Sequence, residues 1–201
     1  MAQPLHLAPA TPAMNRHGTQ RRTRGFTLIE MMIVVVIVGV LATLAVVGYR
    51  KIVQSAHVSE ATGMVHNIRV AQEAYHAETQ SYANVSASIT SWYPATPVHD
   101  KQVGWGAACG GSCASNMDWS MLPVRVDGPV LFGYATVAGT PATNPPASVV
   151  YLNANASVPQ NLTTDWYVIA AAGDLDNTST TGTLVVGGSW TNQIAVLNEG
   201  Q

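Results

Sequence analysis

Between Met31 and Val47 the chain runs without a charge or a proline and with one glycine, Gly39. Counted from Phe26, the apolar stretch is 22 residues. As an α-helix it rises roughly 33 Å at about 1.5 Å per residue. A bilayer core is about 30 Å thick and takes about 20 apolar residues to cross. The stretch is therefore long enough to span a membrane. The residues before it read as a leader, and those after it as a head carried on the helix.

Two residues qualify that reading. A secretory signal is cut after its apolar region, at small residues. Here the small residue, Gly25, lies before it, directly after Arg21, Arg22 and Arg24. Cleavage at Gly25 would leave the membrane helix on the mature chain. The second residue is Glu30, a lone carboxylate near the start of an otherwise uncharged helix. Such a group either sits neutral or hydrated among lipid headgroups or has a functional partner. The residues alone leave both readings open.

The stretch Gly25-Phe26-Thr27-Leu28-Ile29-Glu30, followed by Met-Met-Ile-Val-Val, resembles the N-terminus of type IV pilins and pseudopilins. The likeness is close from about Arg21 to Lys51. It implies cleavage between Gly25 and Phe26 by a prepilin peptidase at the cytoplasmic face, and N-methylation of the new terminus on Phe26. It also implies that Glu30 pairs with the terminal amine of a neighbouring subunit during assembly. Two opposite charges in a low-dielectric helix core attract strongly, and either one left unpaired is costly. Members of the family commonly have a helix-breaking proline where Val47 and Gly48 stand, and this chain has none. Local unwinding of the helix would have to rest on Gly39 and Gly48 instead.

The chain has 201 residues, enough for one modest head and a membrane helix. Four of its nine Lys and Arg lie in the leader (Arg16, Arg21, Arg22, Arg24), and no acidic residue precedes Glu30. The positive-inside rule places that leader in the cytoplasm. Taking those four from nine leaves five basic against 11 acidic residues, a formal charge of −6 for the mature chain before its amine. So acidic a head argues against direct binding of nucleic acid. Cys109 and Cys113 enclose Gly-Gly-Ser. Outside the cytoplasm they are expected to form a disulfide; free thiols or half of a metal site are the alternatives.

The chain divides by pattern into a leader (1–25), an apolar assembly helix (26–48), an amphipathic continuation (49–80), a connecting region (81–128) and a head (129–201). Residues 1–15 are rich in Ala, Pro and Thr and lack periodicity. Met14 is an alternative start that would shorten the leader. In the continuation, Ile52, Ala56, Met64, Ile68, Ala71 and Tyr75 recur at helical spacing and predict a buried seam, with polar residues on the other faces. Tyr75 and Tyr82 resemble the aromatics that clamp the helix end in pilins. The connecting region shows no sustained period, and its tryptophans read as local core. Strands are predicted at 130–137, 149–152, 165–172, 183–186 and 193–197, the third as a central strand. A helix followed by an antiparallel meander gives an α+β fold: a long N-terminal helix packed on a small antiparallel β head.

No catalytic constellation appears, and the chain is not read as an enzyme. His57, His66 and His76 lack the i, i+4 spacing of a helical metal pair. Asp174 and Asp176 open a loop that begins like a calcium loop, but the third oxygen position, the glycine and the closing glutamate of that pattern are missing. They are candidate calcium ligands only, and no other cofactor is expected. The resemblance implies a structural subunit of a pilus-like filament serving adhesion, motility or uptake. It is stored in the inner membrane with its leader in the cytoplasm, then moves into a periplasmic or extracellular filament. Its partners would be other pilin subunits, the prepilin peptidase, an inner-membrane assembly platform and the lipid bilayer. Alternatives are a pseudopilin of a type II secretion system and, in a different class, a single-pass anchored ligand-binding protein in which Glu30 is incidental.

Overall fold

The computed structural model describes residues 25–94, 101–106, 119–176 and 178–199. Residues 1–24 of the leader, Cys109, Cys113 and Asn177 lie outside these residues. Helix α1 runs Leu28–Thr79 without interruption. Nothing in it breaks the backbone pattern, since the stretch holds no proline and its glycines, Gly39, Gly48 and Gly63, each cost only about 1 kcal/mol against Ala. The chain divides within α1 into two compact units, Met1–Thr43 and Leu44–Gln201.

The helix ends through a left-handed cap. Gln80 adopts φ 59°, and its N–H donates to the His76 carbonyl at 2.8 Å. The chain then turns back. The Tyr82 ring stacks on His76 with centroids 4.3 Å apart, and Tyr75 packs against the core.

The second unit holds β1 (Gly133–Gly139), β2 (Ser148–Tyr151), β3 (Ala154–Ser157), β4 (Trp166–Gly173), β5 (Thr183–Gly188) and β6 (Thr191–Leu197). β1, β4, β5 and β6 form one antiparallel sheet in the order β1-β4-β5-β6. β2 and β3 form a separate hairpin. A short 3-10 turn spans Trp119–Met121. The expected α+β architecture is the one observed.

Every residue of β4 is buried, and its alternation shows why. Tyr167, Ile169 and Ala171 belong to the cluster that contains Ala61, Val65 and Ile68 of α1. Trp166, Val168, Ala170 and Ala172 belong to a second cluster with Val149, Ala154 and Ala156 of the hairpin. The sheet is covered on both faces, by α1 on one and by the hairpin on the other, so both sets of side chains are apolar.

The structure corrects the predicted seam of α1. Burial begins at Val58 and continues through Ala61, Met64, Val65, Ile68, Arg69, Ala71 and Gln72. Ile52 is 70 % exposed and Ala56 is exposed. Two polar residues lie within the seam rather than beside it. The Gln72 amide is wholly buried and serves the chain just past the helix: Nε2 donates to the Ala83 carbonyl (2.8 Å) and the Thr136 hydroxyl (3.1 Å), and Oε1 accepts from the Ala83 N–H (2.9 Å). Arg69 reaches across the sheet, where Nη1 donates to the Asn192 carbonyl of β6 at 2.8 Å. Its path is open because Gly187 has no side chain; a Cβ there would crowd Val65 and the Arg69 guanidinium.

Candidate functional site

The helix start is built by its own sequence. Thr27 precedes the first helical residue, and its hydroxyl accepts from the Glu30 N–H at 3.2 Å. The Glu30 carboxylate reaches back to the Thr27 N–H at 3.5 Å. This reciprocal pair is a capping box, which satisfies two of the donors that a helix start leaves unpaired. The Met31 N–H donates to the Thr27 carbonyl at 3.2 Å, the first intrahelical bond. The negative side chain also sits where the helix dipole favours it. Capping is thus a role for Glu30 that neither sequence expectation, headgroup-level charge or assembly partner, includes. The Thr-x-x-Glu spacing before an apolar run is its sequence signal.

From Gly25 to Ile52 every residue is exposed, on all sides of the helix. Phe26 is 77 % exposed and Leu28 80 %. The most apolar 18-residue window of α1 has a mean hydropathy of 2.9, and none of it is buried. Leaving that much apolar surface in water would cost on the order of tens of kcal/mol, at roughly 1.5–3 kcal/mol per large side chain. The segment thus calls for lipid or for other helices around it.

A model of the prokaryotic N-terminal methylation motif matches residues 20–46, the stretch that contains the capping box and most of the exposed apolar surface. The chain thus carries a prepilin-type N-terminal methylation motif. Among curated relatives, the type IV major pilin protein PilA of Myxococcus xanthus (strain DK1622) is 38 % identical over 68 residues, covering 34 % of this chain and 31 % of that protein. The type IV major pilin protein PilE1 of Neisseria gonorrhoeae is 37 % identical over 82 residues, 40 % of this chain and 48 % of that protein. The matches thus span from under a third to about half the length of these relatives. No solved structure matches the chain.

The pilin-type motif gathers Gly25, Phe26 and Glu30 into one exposed segment at the helix start. The two cysteines lie outside the described residues. The acidic turn is placed in the head after β4. There the Asp176 Oδ1 accepts from the Thr178 hydroxyl (2.8 Å) and the Thr178 N–H (3.1 Å). Burial raises the Asp176 pKa, and these bonds outweigh it, so the net shift is downward. Asp174 is buried, and its charge, after burial, helps push the Tyr151 phenol up to about 12. Calcium takes six to eight oxygens, and no group of three or more His, Cys, Asp or Glu able to hold a metal occurs among the described residues.

A second polar cluster has no signal in the sequence. The Glu73 carboxylate accepts from the Tyr167 phenol at 3.0 Å and from the Tyr82 phenol at 3.4 Å. Burial, then these contacts with Glu73, push the Tyr167 phenol well above the usual range; burial and the Glu73 charge raise Tyr82 as well. Together with the His76–Tyr82 stack, this cluster fastens the helix end to β4. It modifies the expected clamp: Tyr82 acts through His76 and Tyr167, and His76 is part of the clamp rather than a free surface histidine.

Proposed function

We propose that the chain is a structural subunit of a type IV pilus-like filament. It is held in the inner membrane by α1, cut between Gly25 and Phe26, N-methylated on Phe26, and polymerised through residues 26–52. The observation that carries this reading is the fully exposed apolar helix directly after a prepilin-type motif. A head whose core begins at Val58 leaves the first half of α1 free to pack against copies of itself. In that core Glu30 pairs with the Phe26 amine of a neighbour, which offsets the desolvation of both charges. A pilus is preferred to a secretion pseudopilus because both named relatives are major pilins.

Mass spectrometry of sheared filaments tests the processing. The expected chain starts at Phe26 with one added methyl group and, with Cys109 bridged to Cys113, is two hydrogens lighter before reduction than after. A chain beginning at Met1, or beyond Val47, overturns the assembly reading. Alkylation of both thiols without reductant overturns the bridge alone. Loss of filaments on deleting a pilus assembly ATPase supports the pilus; filaments that depend instead on a secretion channel support the pseudopilin.

A further inference from the structure

A pocket of about 380 Å³ opens between α1 and the segment 125–130. Met64 and Val130 form apolar wall, and Glu60 and Asp127 contribute carboxylates against a single cation, Arg125. Tyr134 of β1 also lines it. That residue is wholly buried, yet its hydroxyl has no hydrogen-bond partner among the described residues. A buried polar group left unpaired costs about 1–3 kcal/mol. The phenol stays protonated, because burial and then the nearby Glu60 charge push its pKa well above the usual range. An apolar wall with an acidic rim fits an alkyl stem that ends in an ammonium.

We propose that this pocket receives the Lys51 side chain of a neighbouring copy in the filament. The inference rests on the assembly reading. Lys51 is exposed and has no partner among the described residues. Arg50 is placed differently: it lines a groove of its own head beside Asp176. The Glu30–amine pair sets a parallel neighbour four residues higher, about 6 Å along the helix. Two or three such steps bring Lys51 level with residues 59 and 63. Ser59 and Gly63 both line the pocket, and Gly63 leaves its wall low. Lys51 then supplies the cation that the carboxylates Glu60 and Asp127 lack.

Zero-length carbodiimide coupling of sheared wild-type filaments, followed by digestion and mass spectrometry, tests this. The expected product joins Lys51 to Glu60. That link must run between copies, because nine residues of one helix separate the two by about 13.5 Å. In parallel, Lys51→Glu and Glu60→Lys are each expected to lower filament yield about tenfold or more, and the double swap to restore it. Coupling of Glu60 to another amine such as Lys101, no coupling at Glu60, or a double swap no better than the singles overturns the pocket assignment and leaves assembly standing. Absence of filaments from the wild-type chain, or normal filaments from Glu30→Gln, overturns the assembly reading and this proposal with it.

Discussion

Glu30 caps its helix, and the proposed assembly role is one that substitution can separate from the cap. Its backbone N–H is held by the Thr27 hydroxyl at 3.2 Å, while its own carboxylate makes only the long 3.5 Å return contact. Thr27→Val keeps the shape of the cap residue and removes the acceptor. Losing an N-cap costs about 1 kcal/mol, roughly a fivefold drop in first-turn population. Glu30→Gln leaves the box intact, since glutamine serves equally at that position, and removes the charge. In general, taking one partner from a buried ion pair costs about 3–5 kcal/mol, a factor of a hundred or more. We therefore expect Thr27→Val to lower filament yield a few-fold, and Glu30→Gln to lower it about a hundredfold. Both should still insert in the membrane, where the neutral Gln is easier to bury. The assay is sheared-filament yield per membrane-inserted chain, with cleavage confirmed by mass. Equal losses from the two variants would mean that assembly needs the cap and not the charge. Normal yield from Glu30→Gln would remove the ion pair altogether.

The head gives three further expected outcomes. Gln72→Leu keeps the volume but strips Ala83 of both backbone partners in a buried site, so we expect a loss of about 3–5 kcal/mol, read by denaturant unfolding of the full chain in detergent; a loss under about 1 kcal/mol would mean that the amide bonds are incidental. Gln80→Gly replaces a residue at φ 59° by the one side chain without a left-handed penalty; the melting temperature should rise by about 2–4 °C, and a fall would show that the Gln80 side chain matters more than its backbone. The tyrosines fix the alkaline limit. Tyr167 and Tyr82 have folded pKa values raised above 10.0, so their contribution is fully present below about pH 10 and is lost as pH climbs through the raised values. Tyr167→Phe should flatten the loss of stability above pH 10, and an unchanged slope would place the alkaline limit elsewhere.

The parts of this molecule legible in the sequence are those with local causes. The uncharged run specifies the helix, and the apolar stretch at 165–172 marks β4 as central, because a strand covered on both faces has no polar set to alternate with. β3 is not legible, since Ala154-Asn155-Ala156-Ser157 has little strand propensity; it is a strand because it pairs with β2 residue by residue, Ser148 with Ser157 and Tyr151 with Ala154. Arg69 and Gln72 read as members of the polar faces of α1 because a helical period sorts residues by type and not by partner. Their partners are Asn192 and Ala83, at sequence separations of 123 and 11 residues, and no local pattern announces either. Tyr134 is the same case: its burial is legible, its missing partner is not.

The change in burial at Val58 has a consequence for how the two halves of α1 tolerate mutation. Beyond it, each seam residue is tied into a core cluster or to a distant carbonyl, so a substitution there acts first on the folding of the head. From Gly25 to Ile52 no side chain is buried, so a substitution there costs the isolated head almost nothing. A polar or small replacement in that stretch can alter only the surroundings of the helix, whether lipid or neighbouring copies. Lys51 stands at the upper edge of the second region and Glu60 just inside the first, although Glu60 itself is exposed. The charge swap between them therefore perturbs no packed side chain of either copy. Its effect on filament yield reads the contact between subunits and not the stability of the fold.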